Sequence, residues 1–165
     1  MTTWTSATLS RSAGAIKTDG TLWAWGNNLS GELGQNDTVY RSSPVQVGSL
    51  TTWSSITVGY QGYMLAIKTN NTLWAWGYNF IGTLGLNEPT GRRSSPVQVG
   101  ALTNWLKVCA GNGQVHAIKT DGTLWAWGEN TQYGELGLDD RINRSSPVQV
   151  GALTTWASIS SGSQI

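Results

Sequence analysis

Cys109 and His116 are the single cysteine and the single histidine of the chain, and they lie seven positions apart. A thiol beside an imidazole can form a nucleophile and its base, but catalysis of this kind also needs an orienting group or a metal cluster. The glycines at 111 and 113, between the two residues, are typical of a turn. We therefore interpret Cys109 as a buried residue and His116 as a structural one, and we predict that the protein is not an enzyme.

The acidic pair Asp139-Asp140 could bind a cation through its carboxylates, but we interpret it as a solvated turn. Gly111-Asn112-Gly113 lacks the strand, glycine loop and helix of a phosphate-binding cradle. A lone cysteine excludes an internal disulfide and a zinc site built from several cysteines. We predict no metal and no cofactor.

Charge and hydropathy exclude further classes of protein. Ten basic residues against nine acidic ones give a formal net charge of +1, whereas binding to nucleic acid or anionic lipid needs clustered lysine and arginine. No apolar run approaches the roughly 20 residues of a membrane helix. The first residues lack the basic-then-apolar pattern of a signal peptide. We expect neither nucleic acid nor membrane as a partner, and a cytoplasmic or virion location.

A threefold repeat sets the positions of all these residues. Ala-Ile-Lys-Thr occurs at 15–18, 66–69 and 117–120, and each copy continues with Trp-Ala-Trp-Gly, Ser-Ser-Pro-Val-Gln-Val-Gly and then a marker tryptophan. A period near 50 residues with short apolar runs is typical of propeller blades. We predict a single repeat domain over 1–165, with units at about 4–52, 53–104 and 105–155 and a spare strand at 156–165.

Each unit has the pattern of four short β-strands. Asp19-Gly20 and Asp121-Gly122 separate two apolar runs, which is the signal of a tight hairpin. In the Trp-Ala-Trp strand both faces are apolar, so the strand belongs in a sheet packed between two others. The sequence predicts an all-β fold of three four-stranded blades. Six tryptophans are predicted to pack between blades: Trp23, Trp25, Trp74, Trp76, Trp125 and Trp127.

The combined motif W-x-x-I-x-x-G, A-I-K-T-D-G-x-L-W-A-W-G-x-N, G-x-L-G and S-S-P-V-x-V closely resembles the regulator of chromosome condensation repeat, three times over. The resemblance implies propeller blades of about 50 residues, seven to a ring in known members. It also implies an interaction module, as in most members, or guanine-nucleotide exchange, as in the best-known one. The family's histidine before the Ala-Ile-Lys strand is present in the third copy alone, as His116, with Gly14 and Leu65 at the matching positions.

Three blades do not close a ring, so we expect an open arc with an apolar face at each end. Head-to-tail association of identical chains covers both faces at once, because it repeats the contact between blades. We predict that the ring is closed by homo-oligomerisation, with a dimer favoured and a trimer as the alternative. Residues 4–9 and 156–161 both match the first strand of a unit. Either one end is displaced and covers an edge, or strands are exchanged between subunits.

The loops at 27–41, 78–93 and 129–144 differ between copies, whereas the blade framework does not. Variable loops on a rigid frame commonly carry binding residues. We predict a non-enzymatic structural or protein-binding scaffold that self-assembles and that, by analogy, suits a virion or another assembly. The alternatives are a guanine-nucleotide exchange factor, which needs a longer insertion than these loops offer, and a lectin-like propeller with tryptophans stacked on sugars. The predicted partner-binding residues are Tyr40, Tyr78, Phe80, Ile81, Tyr133 and Ile142.

Two polar residues recur in every copy, which favours a structural role for both. The first is an asparagine two positions after each Trp-Gly (Asn28, Asn79, Asn130), which we assign to a turn. The second is an arginine just before each Ser-Ser-Pro (Arg41, Arg93, Arg144), which we expect to form an ion pair between blades with Glu32 or Glu135.

Overall fold

The computed structural model describes residues 3–162 and shows an all-β chain of three four-stranded antiparallel sheets, as predicted. In every sheet the strands lie side by side in chain order. The first sheet contains β1 (Trp4–Leu9), β2 (Ser12–Lys17), β3 (Leu22–Gly26) and β4 (Arg41–Gln46). The second contains β5 (Trp53–Gly59), β6 (Tyr63–Lys68), β7 (Leu73–Tyr78) and β8 (Arg92–Gln98). The third contains β9 (Trp105–Ala110), β10 (Gln114–Lys119), β11 (Leu124–Gly128) and β12 (Arg144–Gln149).

A 3-10 turn, Phe80–Gly82, follows β7. Within residues 3–162 no helix is both long enough and apolar enough to cross a membrane. The unit boundaries inferred from the sequence stay a prediction.

The β2–β3 hairpin shows why Asp-Gly recurs at this turn. Asp19 Oδ1 accepts hydrogen bonds from the backbone N–H (3.0 Å) and from the hydroxyl (2.6 Å) of Thr21. Gly20 has a φ of +78°, which glycine adopts without steric cost. In the second sheet Asn70 replaces the aspartate, and Asn71 takes the left-handed conformation at a φ of +59°. The predicted tight hairpins are confirmed.

Each sheet has two unlike apolar faces. The tryptophan face carries the tryptophans of β3, β7 or β11, and the leucine face carries the leucine and alanine of the same strand. The tryptophan face of the second sheet packs on the leucine face of the first, and the tryptophan face of the third packs on the leucine face of the second. The middle sheet is therefore apolar on both sides because it is covered on both sides.

The two interfaces between sheets repeat the same contacts. The indole N–H of Trp76 donates to the Glu32 carbonyl at 2.8 Å, and that of Trp127 donates to the Thr83 carbonyl at 3.1 Å. Beneath each ring lies a glycine. A Cβ at Gly85, whose φ is +69°, would lie 2.8 Å from Nε1 of Trp127. A small residue is required here because the next sheet approaches so closely.

The first strands of the sheets lie innermost, since β5 contacts both β1 and β9. Because neighbouring strands are antiparallel, the β1–β2 and β3–β4 links and their counterparts lie at one end of the strands. We call this end the loop face. The β2–β3 hairpins and the links between sheets lie at the other end, the turn face.

The arc is open, as predicted. Trp4 is 48% exposed, whereas its counterparts Trp53 and Trp105 are 4% and 1% exposed because a preceding sheet covers them. At the other end, residues 156–162 lie beside the third sheet but belong to no sheet. Within residues 3–162 no strand pairs with residues 156–162, and residues 163–165 lie outside the described part, so the spare strand predicted at 156–165 stays a prediction.

Candidate partner-binding surface

Cys109 and His116 face each other across the β9–β10 pair. Burial raises the pKa of the Cys109 thiol and lowers the pKa of the His116 imidazole, so neither is charged near neutral pH. His116 Nε2 lies 3.1 Å from the carbonyl oxygen of Glu135. Among residues 3–162 no group of three or more His, Cys, Asp or Glu side chains could hold a metal ion. This arrangement supports a structural role for both residues.

The recurring asparagines organise the long loops of the loop face. Asn79 is almost completely buried; its Oδ1 accepts from the backbone N–H of Leu84 at 2.9 Å and its Nδ2 donates to the carbonyl of Glu88 at 3.0 Å. Asn28 and Asn130 make the same two kinds of bond in their own loops. One side chain thus joins the beginning, middle and end of each loop, and the expected turn role of these asparagines is confirmed.

The recurring arginines close the same loops rather than joining blades. The ion pairs are Arg41–Asp37, Arg93–Glu88 and Arg144–Asp140. The predicted pairing with Glu32 or Glu135 is wrong, because an acidic residue four or five positions back in the same loop is within reach. Glu32 is instead buried and accepts from the Ser30 N–H at 2.7 Å and from the Asn27 side chain.

Two carboxylates in these loops, Asp37 and Asp140, have a lowered pKa. The backbone N–H of Val39, with help from Arg41, lowers the pKa of Asp37. The backbone N–H of Ile142 and then Arg144 do the same for Asp140. Asp140 therefore stabilises its loop through the ion pair with Arg144. Its neighbour Asp139 forms no ion pair with any of the described residues.

The predicted partner-binding residues all lie on the loop face, spread over the loops of three sheets. Tyr40, Phe80, Tyr133 and Ile142 are between 53% and 70% exposed. Tyr78 and Ile81 are half-buried, and the rings of Tyr78 and Phe80 stack with centroids 5.9 Å apart. Ile81 has a φ of +65°, a strained conformation for a β-branched residue. The second sheet's loop is thus the one where two of these aromatic residues come together.

A groove that the sequence did not predict extends from this aromatic pair. It has a volume of about 430 Å³, and its walls include Tyr78, Phe80, Tyr60 and Arg11. The Arg11 guanidinium lies over the Tyr60 ring, 5.6 Å from the ring centroid, and both residues are exposed. Arg11 forms no ion pair with any residue that the structure describes. The one feature of the sequence that could have indicated this groove is the short link between the first and second strands, at residues 10–11, 60–62 and 111–113, which differs in every copy.

The six tryptophans of the third strands lie on the sheet faces rather than at the loop tips. Trp76 and Trp127 are fully buried beneath the preceding sheet. Trp74 and Trp125 are half-buried and lie under the ammonium groups of Lys68 and Lys119. Trp23 and Trp25 lie on the open tryptophan face, and among the described residues no carbonyl accepts from the Trp25 indole.

Comparison with known proteins identifies the repeat. The sequence profile of the regulator of chromosome condensation (RCC1) repeat matches residues 19–65, 70–118 and 121–165. The chain is 30% identical over 145 residues to the mitochondrial RCC1 domain-containing protein RUG3 of Arabidopsis thaliana, covering 85% of the chain and 32% of that protein. It is 30% identical over 124 residues to mouse protein RCC2, covering 74% of the chain and 24% of that protein. The chain therefore spans about a third or less of the length of these relatives.

Solved structures share the fold. Yeast RCC1 (Prp20) bound to Kap60 superposes with a TM-score of 0.85 at 18% identity, over 98% of this chain and 40% of that one. Human WBSCR16 superposes with a TM-score of 0.79 at 19% identity, over 95% of this chain and 42% of that one. The three sheets have the arrangement of consecutive blades in these structures.

Proposed function

The chain belongs to the regulator of chromosome condensation (RCC1) repeat family, and on this premise we propose that it is a non-enzymatic protein-binding scaffold. Its binding surface is the loop face, centred on the groove of Arg11, Tyr60, Tyr78 and Phe80. The observation that carries the proposal is this groove, where an unpaired cation and three exposed or half-buried aromatic rings meet.

Within each repeat, the residues that stabilise the fold are different from the residues that are exposed for binding, and this supports the proposal. The residues common to all three copies are used in packing and loop bracing, as with Trp76, Asn79 and Arg93. Several residues that differ between copies, among them Tyr40, Phe80, Tyr133 and Ile142, are exposed on the loop face. A rigid frame that carries differing aromatic residues is suited to recognising a partner protein, since tyrosine and arginine often dominate binding energy.

Related structures point in the same direction. Yeast Prp20 binds Gsp1p and histones, and it forms a complex with Kap60. All of these partners are other proteins. The chemistry of the groove suits a peptide segment with a carboxylate for Arg11 and an aromatic or aliphatic side chain for the rings.

Two other functions receive less support from the geometry. A lectin would offer tryptophans at the loop tips, but the six tryptophans of the third strands lie on the sheet faces. Guanine-nucleotide exchange would need a long insertion, and the β3–β4 and β11–β12 links have only residues 27–40 and 129–143.

We also propose that the open arc associates with a second copy to form a six-bladed ring. The exposed tryptophan face of the first sheet and the leucine face of the third are the two halves of an interface that forms twice within the chain. A closed ring of near-identical blades would suit a structural component of a larger assembly, a virion included.

Selection of peptides from a displayed library on the immobilised chain, followed by calorimetry with one selected peptide, tests the binding surface. We expect the double variant Tyr60→Ala/Phe80→Ala to bind the peptide at least ten times more weakly. Leu50→Ala, an equally exposed apolar residue on the turn face, is the matched control and should bind as the unchanged protein does. Failure to select any peptide, or equal affinity in all three proteins, would refute the proposed surface. Faster nucleotide release from a small GTPase in the presence of the chain would favour the exchange function instead.

A further inference from the structure

Residues 156–162 repeat the motif of a first strand more faithfully than β1 does. The segment has Trp156, Ile159 and Gly162 in the spacing that β5 fills with tryptophan, isoleucine and glycine. At the matching positions after Trp4, the amino-terminal copy has Ala7 and Ser10. The chain therefore carries two segments of first-strand character beyond those of its second and third sheets, and the carboxyl-terminal one fits the pattern better.

The segment is already held in the place of a first strand. The N–H of Trp156 donates to the carbonyl of Gly122 at 3.2 Å, just as the N–H of Trp53 donates to Gly20 at 3.2 Å. Lys107 Nζ donates to the carbonyl of Ala157 at 2.7 Å, and Ile159 is half-buried. The third sheet thus holds residues 156–162 much as the first sheet holds β5.

What the segment lacks is a neighbouring strand. β5 pairs with β6 and β9 pairs with β10, whereas no strand within residues 3–162 pairs with 156–162. Trp156 is consequently 39% exposed, against 4% for Trp53. A first-strand segment that no neighbouring strand pairs with is a template for pairing with a second chain.

A second copy of this chain offers the matching strand. β2 carries the same Ala-Ile-Lys sequence as β6 and β10, and it lies in the first sheet, whose tryptophan face is open. Lys17 Nζ lies 3.7 Å from the centroid of Trp23 and 5.3 Å from that of Trp4. Lys68 makes the same pair of contacts, with Trp74 at 3.6 Å and Trp53 at 4.8 Å.

We propose that residues 156–162 of one copy pair with β2 of a second copy in the place of β1. This inference rests on the proposed self-association and specifies how it occurs. By the register of β5 on β6, Ile159 then lies opposite Ala15, Ser161 opposite Ala13, and Trp156 beside Lys17. The exchanged segment stays attached to its own third sheet through the bonds of Trp156 to Gly122 and of Lys107 to Ala157, so it joins the two chains. β1, in contrast, makes no link to a second chain.

Disulfide trapping between two differently labelled chains tests the pairing. In a Cys109→Ser background, Ser161→Cys in one chain is mixed with Ala13→Cys in the other and oxidised. Residues directly opposite on antiparallel strands have Cβ atoms close enough for a disulfide, so we expect a covalent heterodimer. Met64→Cys, the position equivalent to Ala13 in the second sheet, is the matched control and should give none, because β5 already occupies β6. Absence of the heterodimer, or equal trapping by both, would overturn strand exchange.

Deleting each terminal segment separates strand exchange from self-association as such. Removal of residues 156–165 should give a monomer. Removal of residues 2–10 should leave the number of chains in the assembly, derived from its native mass, unchanged. The reverse result would overturn the exchange but leave the ring of two copies standing. A monomeric mass for the chain without either deletion would instead refute the proposed association itself.

Discussion

Asn28, Asn79 and Asn130 show how one buried side chain can fix a long loop. Each amide satisfies one N–H and at least one carbonyl that the loop would otherwise bury without a partner. The variable residues can then differ from copy to copy without loss of the loop's shape. Recognition and stability are therefore assigned to different residues of the same loop.

Replacing Asn79 with alanine should destabilise the protein. The change leaves the N–H of Leu84 and the carbonyl of Glu88 unpaired, and each buried polar group left without a partner costs about 1–3 kcal/mol. We expect the free energy of unfolding, measured by urea denaturation, to fall by roughly 2–4 kcal/mol. Thr90→Ala, an exposed change in the same loop, should have almost no effect, and a similar loss in both variants would contradict the bracing role.

His116 should make stability depend on pH. Burial lowers its pKa in the folded state, so the unfolded chain takes up a proton at higher pH than the folded one. The stability that this difference provides is fully present above the ordinary histidine pKa and is lost as the pH falls towards the folded value. His116→Leu introduces the residue that the second sheet has at the equivalent position, Leu65. This variant should show a smaller fall in unfolding free energy between pH 7 and pH 5. An unchanged fall would mean that His116 is not its source.

The repeated residues were assigned from the sequence with mixed success, for a physical reason. The asparagine role follows from local chemistry, since a side chain that braces its own turn acts within a few residues. The arginine partner was wrong because it depends on how the loop returns, which brings Asp37 beside Arg41. The groove residues Arg11 and Tyr60 belong to links of different sheets, so no local pattern places them together.

At the level of strands and sheets, the fold was predictable because each motif specifies its own geometry. Asp-Gly fixes the hairpin, and Trp-Ala-Trp requires cover on both faces. Packing of the tryptophans between sheets was predicted, but the particular glycines that they contact were not, because the requirement for Gly34 and Gly85 comes from tryptophans more than 40 positions later in the chain.

Alanine at Gly85 should be more harmful than alanine at Gly137. Both glycines have positive φ, but a Cβ at Gly85 would lie 2.8 Å from Trp127 Nε1, whereas one at Gly137 would meet only Val150, at 3.6 Å. Both variants carry the same backbone strain, and overpacking adds about 1–3 kcal/mol to Gly85→Ala alone. Urea denaturation of both variants at a concentration where the chain is monomeric checks this difference. Equal losses of unfolding free energy in the two variants would contradict this prediction, because they would show that Trp127 moves to accommodate the added methyl group.

For the whole molecule, the two ends of the arc are unequal halves of one interface. Trp4 and Trp25 lie on the open tryptophan face, while residues 156–162 lie beside the third sheet, bonded to Gly122 and Lys107. The exposed face is one that the second and third sheets bury. The sequence could indicate that three blades leave a ring open. It could not show where residues 156–162 lie, which is known only from the contacts of Trp156 and Lys107.

Sedimentation equilibrium measures directly whether these ends associate. We predict a species of twice the 17.7 kDa chain mass at concentrations on the order of 10 µM, an affinity of roughly −7 kcal/mol or better. The variant Trp25→Ala, at the position that Trp76 fills in the interface within the chain, should dissociate at least ten times more readily while keeping its β-sheet circular dichroism. A single-chain mass for the unchanged protein at every concentration up to about 100 µM would contradict the account.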